Sequence, residues 1–309
     1  SDAVLGARNW LEFGGFSFQP SELVKVGYIY AGASTLDRLY RRNNLYTFIG
    51  FSAFCVIALA LIGDFGTALI FFATFLVISY LRSGSIATVL LAVTGAGLAG
   101  FLAVSVKPYI AQRFATWGHA WEDIYDKGFQ QTRAMSAAAS GGLYGKGAGG
   151  GWLKDIFAAN TDMVFAVICE EQGLIIGLIM VLAVLVLAFF AVRSARRGRS
   201  AYYSIAACAA MSMLLVQLAL NVFGSLDLLP FTGVTFPFVS RGGTSLISCW
   251  MLMAFIKSSD TRRNASFAVR PGRGKDDDEA EDDTPGASDN GYAPEDDPAN
   301  WEVWQPCEK

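Results

Sequence analysis

Residues 174–192 form a run of 19 positions with no charged residue and no proline. At about 1.5 Å of rise per residue, such a run is close to the roughly 30 Å needed to cross the hydrocarbon core of a bilayer. Further apolar runs at about 45–62, 67–81, 86–106, 204–223 and 244–256 repeat the signal, and 163–192 extends the first run backwards. A shorter run, about 23–36, contains Lys25 and is open to two readings, a span or an interfacial helix. The expectation is an all-α polytopic membrane protein with about seven transmembrane helices.

Charge divides the 309-residue chain in two. The net charge is −3, yet residues 276–309 hold 13 Asp and Glu against one Lys, a local −12. Removing these leaves 23 basic and 14 acidic residues, so residues 1–275 carry +9. The Asp/Glu/Pro/Gly-rich stretch 258–309 cannot bury enough apolar surface to fold and reads as a disordered acidic tail. Cys55, Cys169, Cys208 and Cys249 lie in apolar runs and Cys307 in the tail, with no CxxC pair. Neither a disulfide framework nor a zinc site is supported, and one histidine, His119, argues against His-based metal sites and triads. The chain starts on Ser1 without a signal peptide and reads as a fragment whose earlier spans lie upstream.

Basic residues orient the spans. Arg38, Arg41 and Arg42, then Arg82, Arg193 with Arg196, Arg197 and Arg199, and Lys257 with Arg262 and Arg263 fall on alternate connections. The positive-inside rule places those connections, and the tail, in the cytoplasm. Residues 1–20, the turn at Gly63, Asp64, Phe65 and Gly66, the long segment 107–161 and the loop 224–240 then share the outside. Domain bounds follow: 1–20 an external loop, 21–257 the membrane domain with loop 107–161 inserted, and 258–309 the tail.

Asp162 follows Asn160 and Thr161 at the start of the run that also contains Glu170 and Glu171. Caps and first-turn acids account for Asp162 equally well, but carboxylates inside an apolar run are functional-site candidates by default. On one continuous helix Glu170 lies about 80° around from Asp162 and Glu171 nearly opposite. Lys25 and Arg241 are the cations in reach of such acids, and Glu22 is placed to pair with Lys25 at i, i+3.

The stretch from Ser140 to Gly151 is Gly-rich around Lys146 but fails the nucleotide P-loop pattern at both ends. It reads either as a flexible loop or as backbone amides that cradle a phosphate. Trp117, His119, Trp121, Glu122 and Asp123 mix aromatics and acids, suiting sugar stacking or an interfacial belt. Two prolines, Pro230 and Pro237, lead to Ser240, Arg241, Gly242, Gly243, Thr244 and Ser245 at a helix start. Amides, hydroxyls and a guanidinium there suit an anion such as a diphosphate.

Ordered motifs carry a resemblance. They are Gly6-Ala7-Arg8-Asn9-Trp10-Leu11, Phe18-Gln19-Pro20-Ser21-Glu22-Leu23-Val24-Lys25, Asp64-Phe65-Gly66-Thr67, Gly128-Phe129-Gln130-Gln131 and Gly142-Leu143-Tyr144-Gly145-Lys146-Gly147. Thr161-Asp162 with Glu170, Glu171 and Gly173, and Pro237-Phe238-Val239-Ser240-Arg241-Gly242-Gly243-Thr244-Ser245, complete the set. From about residue 6 to 257 the chain resembles the SEDS family of RodA, FtsW and SpoVE. Members have about ten spans, so the chain is similar to their last seven, and the first helix becomes a true span.

The resemblance implies polymerisation of peptidoglycan glycan strands from lipid II outside the bacterial cytoplasmic membrane, with a class B penicillin-binding transpeptidase as partner and no nucleic acid. It maps the family's essential aspartate onto Asp162, as general base of an inverting transfer. Arg8, Lys25, Lys146, Arg241, Ser240 and Gln130 are implied contacts to diphosphate or sugar. Glu22, Asp64, Glu170 and Glu171 are implied supports. No organic cofactor is called for; a divalent cation, Mg or Mn, is an alternative countercharge. A flippase for the same lipid and a non-catalytic scaffold for the transpeptidase are the competing functions. Gly63 replaces the usual Pro of the Pro-Asp-Leu-Gly turn, Ala158-Ala159-Asn160 replaces Glu-Ala-His, and Arg241 replaces the Tyr of Ser-Tyr-Gly-Gly.

Overall fold

The computed structural model describes residues 11–13, 16–37, 42–106, 115–126, 128–196 and 200–260. Arg8 and residues 261–309, including Trp301 and Trp304, lie outside them, whereas Ser258 and Ser259, expected in the disordered tail, belong to the end of the last helix. The chain opens on a two-stranded antiparallel hairpin, β1 (Leu11–Phe13) and β2 (Phe16–Phe18), where the sequence suggests only a loop. Four long helices follow: α1 (Pro20–Asp37), α2 (Arg42–Ile62), α3 (Phe65–Ser83) and α4 (Ile86–Val106). Helix α1 begins on Pro20, whose missing N–H costs nothing in a first turn, and Ser21 follows inside the helix.

The segment expected as a long loop contains helix α5 (Phe129–Gly141), a 3₁₀ turn (Leu153–Asp155) and the four-residue α6 (Ala159–Asp162). Then come α7 (Val164–Glu171), α8 (Leu174–Ala195), α9 (Ala201–Ser225) and α10 (Gly243–Ser258). Among the described residues α3, α8 and α9 are long and apolar enough to cross a membrane, and Tyr46–Ile62, Ile86–Gly97 and Gly243–Ser258 are shorter apolar stretches.

One expected span is broken. Residues 163–192 are two helices, because Gly173 takes φ 92 and stands where any Cβ would run into the carbonyl of Leu143. The eight-residue α7 is too short to span, and only α8 has membrane length. The outer flank of α8 is unpaired apolar surface, with Leu182 57% and Phe189 70% exposed, as a lipid-facing helix requires.

Helix α9 is the axis of the bundle and packs on α1, α3, α8 and α10. Ala206, Ala207, Ala209 and Ala210 are fully buried, small side chains that let neighbouring backbones approach. Tyr28 of α1 ties α2 and α3 to this core: its hydroxyl donates to Ser52 Oγ at 2.8 Å and its ring meets Phe71 edge-on at 4.9 Å.

The two ends of the bundle differ. At one, Ser259 donates to Ser194 and Ser204 to the carbonyl of Ala195, bringing together the basic-flanked ends of α8, α9 and α10. At the other, the start of α1 meets α10 through Ser248 and Glu22, and Gly66 at the start of α3 packs on Thr232 and Val234. The segments grouped by charge as external, so far as they are described in contact, meet at this second end.

Candidate functional site

Asp162 ends a four-residue helix, and a helix that short leaves its carbonyls without internal partners. Three donors from elsewhere supply them in succession. The amide of Arg241 donates to the carbonyl of Asn160 at 2.9 Å, Ser240 Oγ to that of Thr161 at 2.6 Å, and Asn221 Nδ2 to that of Asp162 at 2.9 Å. The loop after α9 is thus stitched along the whole Asp162 turn. Ala158, with φ 61, reverses the chain into it. The Asp162 carboxylate is half-buried and borders Gly233, where a Cβ would stand 3.2 Å from Oδ2. Gly233 has φ 68, so both its backbone and the carboxylate beside it favour glycine.

Three of the expected ligand-binding residues have structural work here. Ser240 is buried, and its hydroxyl accepts from the amide of Phe236 at 2.7 Å while donating to Thr161, so it positions the turn rather than facing a ligand. Lys25 is 1% exposed; its ammonium donates to Glu22 Oε1 at 2.8 Å and Gln217 Oε1 at 3.3 Å. Glu22 also accepts from Ser248 at 2.5 Å, and Gln217 donates to Thr235, which pairs with Ser245. A buried charge must be matched this completely, which makes Lys25 the centre of a network joining α1, α9, α10 and the loop.

The Gly-rich strap is the third case. The amides of Lys146 and Gly147 donate to the carbonyls of Glu170 and Glu171, at 2.9 Å each, so they do not cradle an anion. Lys146 Nζ reaches Glu170 Oε1 at 2.9 Å. Glu170 is fully buried and also accepts from the amides of Trp152 at 3.2 Å and Leu153 at 3.0 Å. Burial alone would raise its carboxyl, but the Lys146 hydrogen bond and the two amides outweigh it and hold the group below the usual carboxylate range. It is the knot of a strap, on a different helix from Asp162. Glu171 is half-buried alongside Gly151.

Arg241 is exposed, and its guanidinium makes no ion pair among the described residues. Asp64 caps α3, accepting from the amide of Thr67 at 3.0 Å. Gln130 is half-buried on α5, whose neighbour Gln131 donates to Asp227 Oδ1 at 2.8 Å. Trp117 and Trp121 are exposed and Ala120 between them is fully buried.

The site residues not anticipated from the sequence are Gln217 and Asn221, on successive turns of α9 and almost fully buried. Two amides four apart inside an apolar run are the signal that identifies them, since polar groups at that depth need partners. Among the described residues no group of three or more His, Cys, Asp or Glu is placed to hold a metal ion.

A family model described as cell cycle protein, the FtsW, RodA and SpoVE group, matches residues 1–265. Stage V sporulation protein E of Bacillus subtilis is 34% identical over 262 residues, 81% of this chain and 69% of that protein. A probable peptidoglycan glycosyltransferase FtsW of Escherichia coli is 32% identical over 79% of this chain and 62% of its own length. The peptidoglycan glycosyltransferase RodA of Mycobacterium leprae is 29% identical over 81% and 57% respectively. The chain therefore spans 57% to 69% of the length of these relatives.

Among solved structures, a chain described under structural coordination of polymerization and crosslinking by a peptidoglycan synthase complex superposes with TM-score 0.65 at 27% identity. It covers 84% of this chain and 75% of that one. A mutant of the Rod shape determining protein RodA of Thermus thermophilus gives 0.54 at 25%, covering 82% and 69%. With a family model matching most of its length and the bundle shared with these membrane proteins, the chain belongs to the FtsW, RodA and SpoVE family of cell cycle proteins.

Proposed function

We propose that the protein polymerises peptidoglycan glycan strands from lipid II at the outer face of the bacterial cytoplasmic membrane, with Asp162 as general base. The observation that carries the reading is the half-buried Asp162 carboxylate on a turn whose three carbonyls are all held from outside it, beside Gly233 and Arg241. A base held in fixed geometry is what acid–base catalysis of glycosyl transfer requires.

In this reading Asp162 takes the proton from the 4-hydroxyl of one lipid II as that oxygen attacks the anomeric carbon of the growing strand with inversion. The undecaprenyl diphosphate leaves, and Arg241 neutralises its charge, aided by Arg8. Lys25, Lys146, Glu22 and Glu170 hold the surrounding backbone instead of touching substrate. The reading uses no metal.

Names support the chemistry: relatives are called peptidoglycan glycosyltransferases, and a structural neighbour is described as a peptidoglycan synthase complex. A class B penicillin-binding transpeptidase is the proposed partner. In this reading the Asp162 end lies outside and the 258–309 tail in the cytoplasm, which the basic residues on alternate connections support.

Lipid II turnover by the full-length protein tests the reading. Asp162→Ala is expected to lose about 10²–10⁴-fold in rate while remaining folded. Wild-type polymerisation by folded Asp162→Ala would overturn it. A pure flippase would make no strands from lipid II supplied in the outer leaflet, and a scaffold would leave wall synthesis intact in Asp162→Asn.

A further inference from the structure

Asn221 spends both of its amide hydrogens on two distant carbonyls. Nδ2 donates to Asp162 at 2.9 Å and to Val234 at 2.8 Å, linking the turn that carries the acid to the loop that borders it. The Ser240 hydroxyl makes a second link between the same turn and loop, accepting from the Phe236 amide and donating to the Thr161 carbonyl. The next turn of α9 reinforces the placement, for Ser225 donates to the Asn221 carbonyl at 2.7 Å.

The arrangement carries a cost beside its two hydrogen bonds. Asn221 is 2% exposed, and its Oδ1 is buried without a hydrogen-bond partner among the described residues. Both N–H groups face carbonyls, so the amide cannot turn to rescue that oxygen. A buried acceptor left unpaired lowers stability, whereas an apolar side chain of the same shape would not carry it. What an apolar side chain could not do is hold both carbonyls.

Resting on the reading of Asp162 as the base, we infer that Asn221 is a positioning residue: its amide clamps the Asp162 turn to the loop of Thr232, Gly233 and Val234, so that the carboxylate is held against Gly233 in the orientation the transfer needs. It touches neither substrate nor the reacting atoms. It acts through Asp162, where a displacement on the order of 1 Å lowers turnover without weakening substrate binding.

Two variants of the full-length protein, assayed with purified lipid II and melted in the same detergent, test the clamp. Asn221→Leu removes the donors along with the orphaned oxygen but leaves the carbonyls of Asp162 and Val234 without that partner, and is expected to melt below the wild-type temperature while remaining folded at the assay temperature. Its kcat is expected to fall at least ~10-fold with KM within about twofold of wild type. Asn221→Asp keeps the shape, yet an ionised carboxylate donates to neither carbonyl, so the same loss in kcat is expected. Wild-type kcat in either folded variant overturns the inference. So does a loss of rate that only tracks the folded fraction, or failure of both variants to fold, each of which makes Asn221 a structural residue. Asp162→Ala runs beside them: if it polymerises normally the function itself is misassigned, and if it is inactive while Asn221→Leu turns over at full rate, only the clamp fails.

Discussion

Removing Glu170 should release the strap that frames Asp162 while leaving the bundle standing. Glu170→Ala strips the acceptor from Lys146 Nζ, the Trp152 amide and the Leu153 amide at once. Leu153 is fully buried, and an unpaired buried N–H costs about 1–3 kcal/mol. The Trp152 amide lies in a less enclosed place and falls toward the low end of that range. Lys146 is one-third exposed and regains water, so its ion pair adds about 1 kcal/mol or less. The total is about 2–5 kcal/mol, and it falls on residues 142–155, which hold all three of these partners of the carboxylate. Hydrogen exchange followed by mass spectrometry reads this directly. Protection in 142–155 should fall by about 25-fold or more, at roughly 1.4 kcal/mol per factor of ten, while residues 206–218 of α9 stay protected. Unchanged exchange in the strap, or an equal loss in α9, would refute the reasoning. The pH dependence follows the same bond. The folded carboxyl lies below its ordinary value of 4.5, so the contribution is complete at neutral pH and fades as pH falls through the folded value. Wild-type strap protection should therefore drop in acid, a drop Glu170→Ala should lack.

Glu171→Ala, one residue on, should change stability by about 0.5 kcal/mol or less, because its side chain has no comparable set of partners; a thermal melt in detergent distinguishes the two glutamates. Lys25→Met should cost about 3–5 kcal/mol by stranding buried Glu22, and Glu22→Gln combined with Lys25→Met should recover most of it in the same assay. Gly233→Ala adds a Cβ 3.2 Å from Asp162 Oδ2 at φ 68, a backbone penalty of about 1–2 kcal/mol, and should lower lipid II turnover more than it lowers the melting temperature. Arg241→Ala should raise the apparent KM for lipid II and leave the melting temperature within about a degree, because the guanidinium is exposed while the amide that holds Asn160 is kept.

Much of the bundle was legible before any coordinates. The run at 174–192 became α8, and the other apolar runs became α1, α2, α3, α4, α9 and α10, with ends shifted by a few residues. Period and charge suffice for this, because a lipid-facing helix announces itself in every residue. The break at Gly173 was not legible in the same way. Residues 163–192 are apolar apart from Glu170, Glu171 and Gln172, and Gly173, like Gly177 after it, is a residue that an unbroken span also tolerates. The cause is a carbonyl 30 positions away, that of Leu143, lying against Gly173. The helix inside segment 107–161 likewise depends on packing that short-range pattern does not encode, whereas the pairing of β1 with β2 matches a local signal, the Gly14-Gly15 pair between two strand-forming triplets.

The candidate site divides along the same line. Composition, spacing and charge placed Asp162, Arg241 and the Pro230–Gly243 loop on one side of one membrane domain, since a carboxylate in an apolar run and basic residues on alternate connections are properties of the chain itself. Which polar groups would be consumed by one another was decided only by the fold. Lys25 and Lys146 look alike in sequence as available cations, yet one is enclosed with Glu22 and Gln217 and the other ties a strap to Glu170. Asn221 looks like one more polar residue in a span, yet two carbonyls from distant segments converge on it. A hydrogen bond is made between partners that meet in space, and burial sets how much an unmet partner costs; both are known only once distant segments have been brought together.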